Sequence, residues 1–205
     1  MPWWLFVALQ PFYLSWKQHI DNIVSKLNKA CFAVRLVKPY MTTEILKTLY
    51  FSYFHSVLSY GIIFWGNLVC SQHIFKIQKR MIRIISNLGV TDCCRCAFKE
   101  LGILPLNLQY LYSLLMFVAK NRDLFQANTS FHSVNTRYKN DLHLPSAHLK
   151  IFQKGSSFFR SKGLQSLTTK MKELSHDIKR FKPALRTFFQ VNSFYSIEEY
   201  FNYDS

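Results

Sequence analysis

From residue 15 onward, apolar positions recur at the three-to-four-residue spacing that gathers side chains on one side of an α-helix. The first run opens on Ser15-Trp16-Lys17-Gln18, a capping box in which a hydroxyl is followed three residues later by an amide that reaches back. Trp16, Ile20, Ile23, Val24, Leu27, Cys31 and Val34 form its apolar face, Lys17, Lys26, Lys29 and Arg35 lie on more polar sides, and Pro39 stops it. A second run, from about Thr43 through Tyr60, is apolar nearly all round: Ile45, Leu46, Leu49, Tyr50, Phe51, Tyr53, Phe54, Val57 and Leu58. A helix without a wet face belongs at the centre of its domain. Gly61 and Gly66 then bracket Ile62-Ile63-Phe64-Trp65, read as a turn or a continuation of that helix.

The third helix, predicted from an N-cap at Ser71 to a C-cap at Gly89, separates its residues most cleanly. At about 100° per residue, Ile74, Ile77, Met81, Ile84, Ile85 and Leu88 share one arc, while Lys76, Lys79, Arg80, Arg83 and Asn87 share the opposite one. No acid on this helix pairs with the cations, so they repel one another, and an anion lying across the face would relieve that repulsion. A merely solvated face usually mixes signs. This one does not, which favours a phosphate-facing role.

Further on, Cys94 to Leu101 reads as a short helix ended by Gly102. Leu104-Pro105 then opens a long apolar helix through Leu108, Leu111, Tyr112, Leu115, Phe117 and Val118 to about Asn121. From Asn128 to Ser146 the chain turns to Asn, Ser, Thr and His without a period, the composition of a linker or extended loop. Leu149 to Phe152 and Ser157 to Arg160, joined through Lys154-Gly155-Ser156, have the pattern of a short hairpin. Two helices follow, Leu167 to Leu174 and one capped by Ser175 that runs through Ile178, Phe181, Leu185 and Phe188; Ser193 to Tyr200 forms a last turn. Lys179, Arg180 and Lys182 straddle Phe181, which is expected to pack inward and leave the three cations as a second patch. Arg137 either joins that patch or instead caps a helix or braces the loop fold.

Composition sharpens the charge argument. With 26 Lys and Arg against 11 Asp and Glu among 205 residues, the formal charge is +15, which favours a polyanion as partner: nucleic acid first, an anionic membrane second. The apolar share of 49 % is enough for a real core, and the aromatic share of 17 % implies a large core, exposed rings or a lost partner surface. Cys31, Cys70, Cys93, Cys94 and Cys96 have no disulfide-framework spacing and read as free thiols in a reducing compartment, nucleus or cytoplasm. The apolar start, Met1 to Leu9, lacks the basic region and cleavage site of a signal peptide and is too short to span a bilayer, so no stable membrane insertion is expected.

Candidate chemistry is thin. Two-metal catalysis needs clustered carboxylates, yet no Asp-Asp pair occurs, and the adjacent Glu198-Glu199 sit in the tail on a helical pattern. All six Gly are isolated, so no phosphate-cradling loop is present. Cys93-Cys94-x-Cys96, with His73 elsewhere, fits zinc poorly, because structural sites space their ligands two to four residues apart in two arms. The seven His form no hydrolase signature. No catalytic residue, metal or cofactor is assigned, and the isolated chain is not expected to be an enzyme.

Several strings occur in an order that carries family information. They are Ser15-Trp16-Lys17-Gln18-His19-Ile20-Asp21, Tyr60-Gly61-Ile62-Ile63-Phe64-Trp65-Gly66, Ile77-Gln78-Lys79-Arg80-Met81-Ile82-Arg83, Leu101-Gly102-Ile103-Leu104-Pro105, Asn135-Thr136-Arg137 and Phe181-Lys182-Pro183-Ala184-Leu185. In this order the chain resembles the region downstream of the polymerase palm in non-LTR, Jockey-like retrotransposon reverse transcriptases. The resemblance implies a mainly α fold: a thumb-like helical bundle over 15–122, a linker over 123–147 and a smaller C-terminal extension over 148–205 that helps hold template RNA and target DNA. Residues 1–14 do not match, and Gln165-Ser166-Leu167-Thr168 stands where the family shows an Asn-Ser-Leu-Pro-like helix start, both pointing to a truncated or decayed copy.

The reading that follows is a palm-less fragment of an RNA-directed DNA polymerase. It would grip RNA or DNA phosphates without sequence preference through Lys76, Lys79, Arg80, Arg83, Arg137, Lys179, Arg180 and Lys182, with a palm-containing polymerase segment as a further candidate partner. The competing reading is a host-retained protein-interaction module that does not bind nucleic acid.

Overall fold

The computed structural model describes residues 16–121, 167, 169–175 and 177–203. The expected hairpin at 149–160, the linker at 123–147, Arg137, Ser15 and segment 1–14 lie outside the described residues. The fold is a mainly α-helical bundle, and among the described residues no strand occurs. In chain order the helices are α1 (Trp16–Val37), α2 (Thr43–Leu49), α3 (His55–Ser59), α4 (Ile62–Trp65), α5 (Ser71–Ile85), α6 (Arg95–Glu100), α7 (Leu106–Lys120), α8 (Thr169–Leu174), α9 (Ile178–Asn192) and α10 (Ile197–Phe201). A 3-10 turn, Lys38–Tyr40, closes α1, with Pro39 inside it.

Helix α1 buries Ile20, Ile23, Leu27, Ala30, Cys31 and Val34, the stripe its spacing predicts. It runs beside α5 in the same direction. The Cys31 thiol meets the Ile77 carbonyl at 3.9 Å, and Lys38 at the end of α1 shares a cleft with Ile85 and Asn87 at the end of α5.

Between α2 and α3 the backbone stays helical through a π-helical stretch, Tyr50–Phe54, and that stretch has a packing reason. Leu46, Tyr50, Phe54 and Leu58 are all buried, at a strict spacing of four. In a regular α-helix such a row drifts by about 40° per step and would rotate out of the core. The wider π turn takes up that drift and keeps all four on one side. Ile45, Leu49 and Tyr53 repeat at the same spacing on the other side and are exposed by 46 %, 37 % and 49 %. The expectation of a central second helix is therefore corrected: one of its faces is apolar yet partly exposed.

The central place belongs to α7, where even Asn107 and Gln109 are buried alongside Leu106, Leu108, Tyr110, Leu111, Leu114, Leu115 and Val118. Helix α4 packs against it closely. A Cβ on Gly66 would sit 2.6 Å from a Tyr110 ring carbon and 2.7 Å from the Ile62 carbonyl, so only glycine fits. At Gly61 the backbone is left-handed, with φ 62°, which ends α3–α4 continuity and makes Ile62–Trp65 a separate helix. Trp65 is fully buried and donates its indole N–H to the Tyr60 carbonyl at 2.9 Å. The ring of Phe64 stacks on Trp16 at 5.8 Å.

The C-terminal helices join the same core. Phe181, Leu185 and Phe189 of α9 are fully buried, and the Gln190 side chain donates to the Gly102 carbonyl at 3.0 Å in the turn ahead of α7. Asn107 of α7 donates to the Tyr195 carbonyl. The cap of α9 is Asp177, whose carboxylate accepts from the Lys179 and Arg180 N–H groups, and not Ser175, which is buried and bonds the Lys172 carbonyl. An aspartate meets the helix dipole with charge as well as a lone pair, which a serine cannot do.

Candidate nucleic-acid interface

Helix α5 carries the cationic face, and its ends differ from those the sequence predicts. It starts at Ser71 itself, which is buried, after Cys70. It ends at Ile85, and the left-handed residue beyond it is Asn87, at φ 56°, rather than Gly89. Asn tolerates that conformation better than other residues with a side chain, so the chain turns two residues early. Ile74, Ile77, Met81, Ile84 and Ile85 are buried on one side, as their spacing predicts, and Phe75, Gln78 and Ile82 join them.

The opposite side forms one wall of an open groove of about 510 Å³, with Lys76, Arg80 and Arg83 from α5 facing Arg35 from the last turn of α1 and Lys38 from the 3-10 turn after it. Ile84, Leu88 and Val90 complete the lining. Lys76 and Arg80 are exposed. Arg80 donates to the Asn28 side-chain oxygen at 3.1 Å, which steers its guanidinium across α1. Arg83 is half-buried, and its Nε and one terminal nitrogen both donate to the Asp92 carbonyl, at 3.2 and 3.0 Å. It braces the following loop as well as lining the groove. Lys79 turns away from the groove, with its ammonium 4.8 Å from the centre of the Phe75 ring. Three of the four cations predicted on α5 thus converge, and one does not.

Arg35 and Lys38 are not legible as site residues in the sequence, because they lie more than thirty residues upstream and only the side-by-side packing of α1 and α5 brings them in. Among the described residues, the ion pairs are Arg95–Glu199 at 3.2 Å and Arg180–Asp177 at 3.5 Å; neither involves a groove cation. The Asp92 carboxylate is engaged by the Gly89 N–H at 2.7 Å. Among the described residues, therefore, no ion pair compensates the positive charge concentrated in the groove. Beside it, burial pushes the Cys31 thiol up to about 11 despite the opposing pull of Arg80 and Arg35.

The second patch is more open. Lys179, Arg180 and Lys182 are exposed while Phe181 between them is fully buried, as expected, and Arg180 pairs with Asp177 on its own helix. Of the clustered thiols, Cys94 is buried, its sulfur near the Lys79 and Asp92 carbonyls at 3.8 and 3.7 Å, while Cys93, Cys96 and His73 are exposed. Among the described residues, no group of three His, Cys, Asp or Glu side chains is arranged to hold a metal, and no helix is long and apolar enough to cross a membrane. No family model, no curated protein and no solved structure matches this chain.

Proposed function

We propose that the chain is the thumb-like C-terminal part of a non-LTR, Jockey-like reverse transcriptase, without polymerase chemistry of its own, and that it grips RNA or DNA through the backbone. The observation that carries the binding reading is the groove between α1 and α5, where Arg35, Lys38, Lys76, Arg80 and Arg83 converge from the two helices and the 3-10 turn that follows α1. A sugar-phosphate chain laid along it would replace the mutual repulsion of these cations with charge-assisted contacts and release condensed counterions. Lys179 and Lys182 on α9 offer a further exposed patch for a longer polyanion. The family reading is supported by the ordered strings of the sequence and agrees with the helical bundle.

Titration of binding against salt tests this. A labelled RNA should bind with an affinity that falls linearly with salt on logarithmic axes, equally for unrelated sequences, and binding insensitive to salt would reject the reading. For the family, the coding sequence upstream of Met1 should encode a palm with paired aspartates, even in a broken frame.

A second reading, a protein-interaction module, draws on the exposed apolar side chains Phe32 and Leu36 of α1, Tyr40 of the 3-10 turn, Ile45 and Leu49 of α2 and Tyr53 of the π-helical stretch. A purified chain that self-associates yet ignores RNA and DNA would favour it.

A further inference from the structure

The groove is not lined by charge alone, and this points to the class of nucleic acid it takes. Ile84 and Leu88 border the cations on one side, and Val90 stands at the rim with 89 % of its surface exposed. Packing gives no reason for an apolar side chain there.

The loop that carries Val90 is nevertheless held in place from several directions. The Leu88 N–H donates to the Arg83 carbonyl at 3.0 Å, Asn87 adopts the left-handed turn, and the Asp92 carboxylate ties back to the Gly89 N–H at 2.7 Å. Arg83 closes the loop through its two bonds to the Asp92 carbonyl. The same guanidinium therefore lines the cationic wall and fixes the distance from that wall to the apolar rim. An exposed valine on a braced loop keeps its position when a ligand arrives, so little ordering cost falls on binding.

We infer that the groove takes a single strand, with phosphates against Arg35, Lys38, Lys76 and Arg80 and an unstacked base against Leu88 and Val90; this rests on the backbone-binding reading above. A continuous duplex keeps its base faces stacked inward and exposes only base edges, deep in its grooves, so an aliphatic rim that follows the phosphates gains little from it. A single strand exposes base faces next to its phosphates and can satisfy both walls at once. Because the rim is aliphatic and not aromatic, the preference for single strands is modest and carries no sequence readout.

Fluorescence anisotropy of the full chain with an oligothymidylate of about twelve nucleotides, and with a hairpin duplex of equal phosphate number, separates the possibilities. The single strand should bind about fivefold tighter, and Val90→Ser should bring the ratio of single-strand to duplex affinity close to one. Val90→Trp should strengthen single-strand binding selectively and quench a 2-aminopurine placed in the strand.

Equal affinities for both ligands, with neither Val90 variant altering their ratio, would overturn the single-strand assignment while leaving backbone binding intact. Absence of any response to Arg80→Glu with either ligand would instead overturn the groove itself. A Val90→Trp chain that gains affinity for phosphatidylserine vesicles but not for the strand would assign the rim to a membrane surface and reject the inference.

Discussion

The side-chain amide of Gln78, on α5, donates to the Tyr50 hydroxyl at 3.0 Å from a position with no solvent exposure. The same nitrogen donates to the Leu104 carbonyl at 2.9 Å, and its oxygen accepts from the Leu106 N–H at 2.8 Å. One buried glutamine thus bolts the π-helical stretch, the cationic helix and the first turn of the central helix together. Burial also pushes the Tyr50 phenol well above its usual range, so it stays neutral at any ordinary pH.

Substituting Gln78→Leu keeps the volume but strands the Leu106 N–H and the Leu104 carbonyl in an apolar interior. The expected cost is about 3 kcal/mol, read as a lower urea midpoint with an unchanged m-value. Tyr50→Phe removes only one acceptor and should cost about 1 kcal/mol. Similar costs for the two variants would show that Gln78 is not the shared anchor.

At Gly66 the constraint is steric. Gly66→Ala puts a methyl against the Tyr110 ring and the Ile62 carbonyl, and the backbone oxygen cannot swing aside. A loss of about 2 kcal/mol is expected in thermal or chemical unfolding, whereas Gly89→Ala, which meets only the Asp92 carboxylate at 3.1 Å or more, should cost less.

Gln78 and the α2 face show where the sequence can and cannot be read. The apolar stripes of α1 and α5 follow from spacing, because a 3.6-residue period forces the choice of buried face. The exposed row that runs from α2 into the π-helical stretch does not follow, since Ile45, Leu49 and Tyr53 are as apolar as the buried row, and only the depth of each row in the packed bundle separates them. Gln78 looks like one more polar residue on a basic helix, and its burial depends on partners 28 residues away on either side. The cationic face is legible on α5, but Arg35 and Lys38 enter only through helix packing, and Lys79 leaves for the ring of Phe75, its neighbour one helical turn earlier, a pairing that the spacing allows and that the grouping by charge overlooks.

Thiol chemistry should divide the cysteines. Cys70, Cys93 and Cys96 are exposed and should react promptly with a disulfide reagent near neutral pH, while Cys31 and Cys94 wait for unfolding. Because Cys31 is raised from 9.0 to about 11 in the fold, its contribution to stability is complete below pH 9 and is lost as pH rises towards 11. Cys31→Ala should flatten that alkaline decline, and rapid labelling of all five thiols in the folded chain would contradict the packing.

His55 works in the acid direction. Its burial, with a smaller effect from Arg186, holds it below the ordinary 6.5, so the neutral form belongs to the fold. That contribution is present above pH 6.5 and is lost as pH falls below it, when the unfolded chain takes up the proton first. Urea midpoints measured between pH 7 and 5 should fall, and a His55→Gln variant should show a shallower fall over the same range.

Whether the cations between α1 and α5 meet phosphates decides the binding claim. The most direct measurement is the salt dependence of RNA affinity for the chain and for a Lys76→Glu, Arg80→Glu double variant, with folding checked by circular dichroism. Affinity should drop by more than tenfold near physiological salt, and the logarithmic slope should become shallower by about 0.7 for each single-strand phosphate that the variant no longer neutralises. A folded double variant that retains both the affinity and the slope of the parent chain would contradict phosphate binding in this groove.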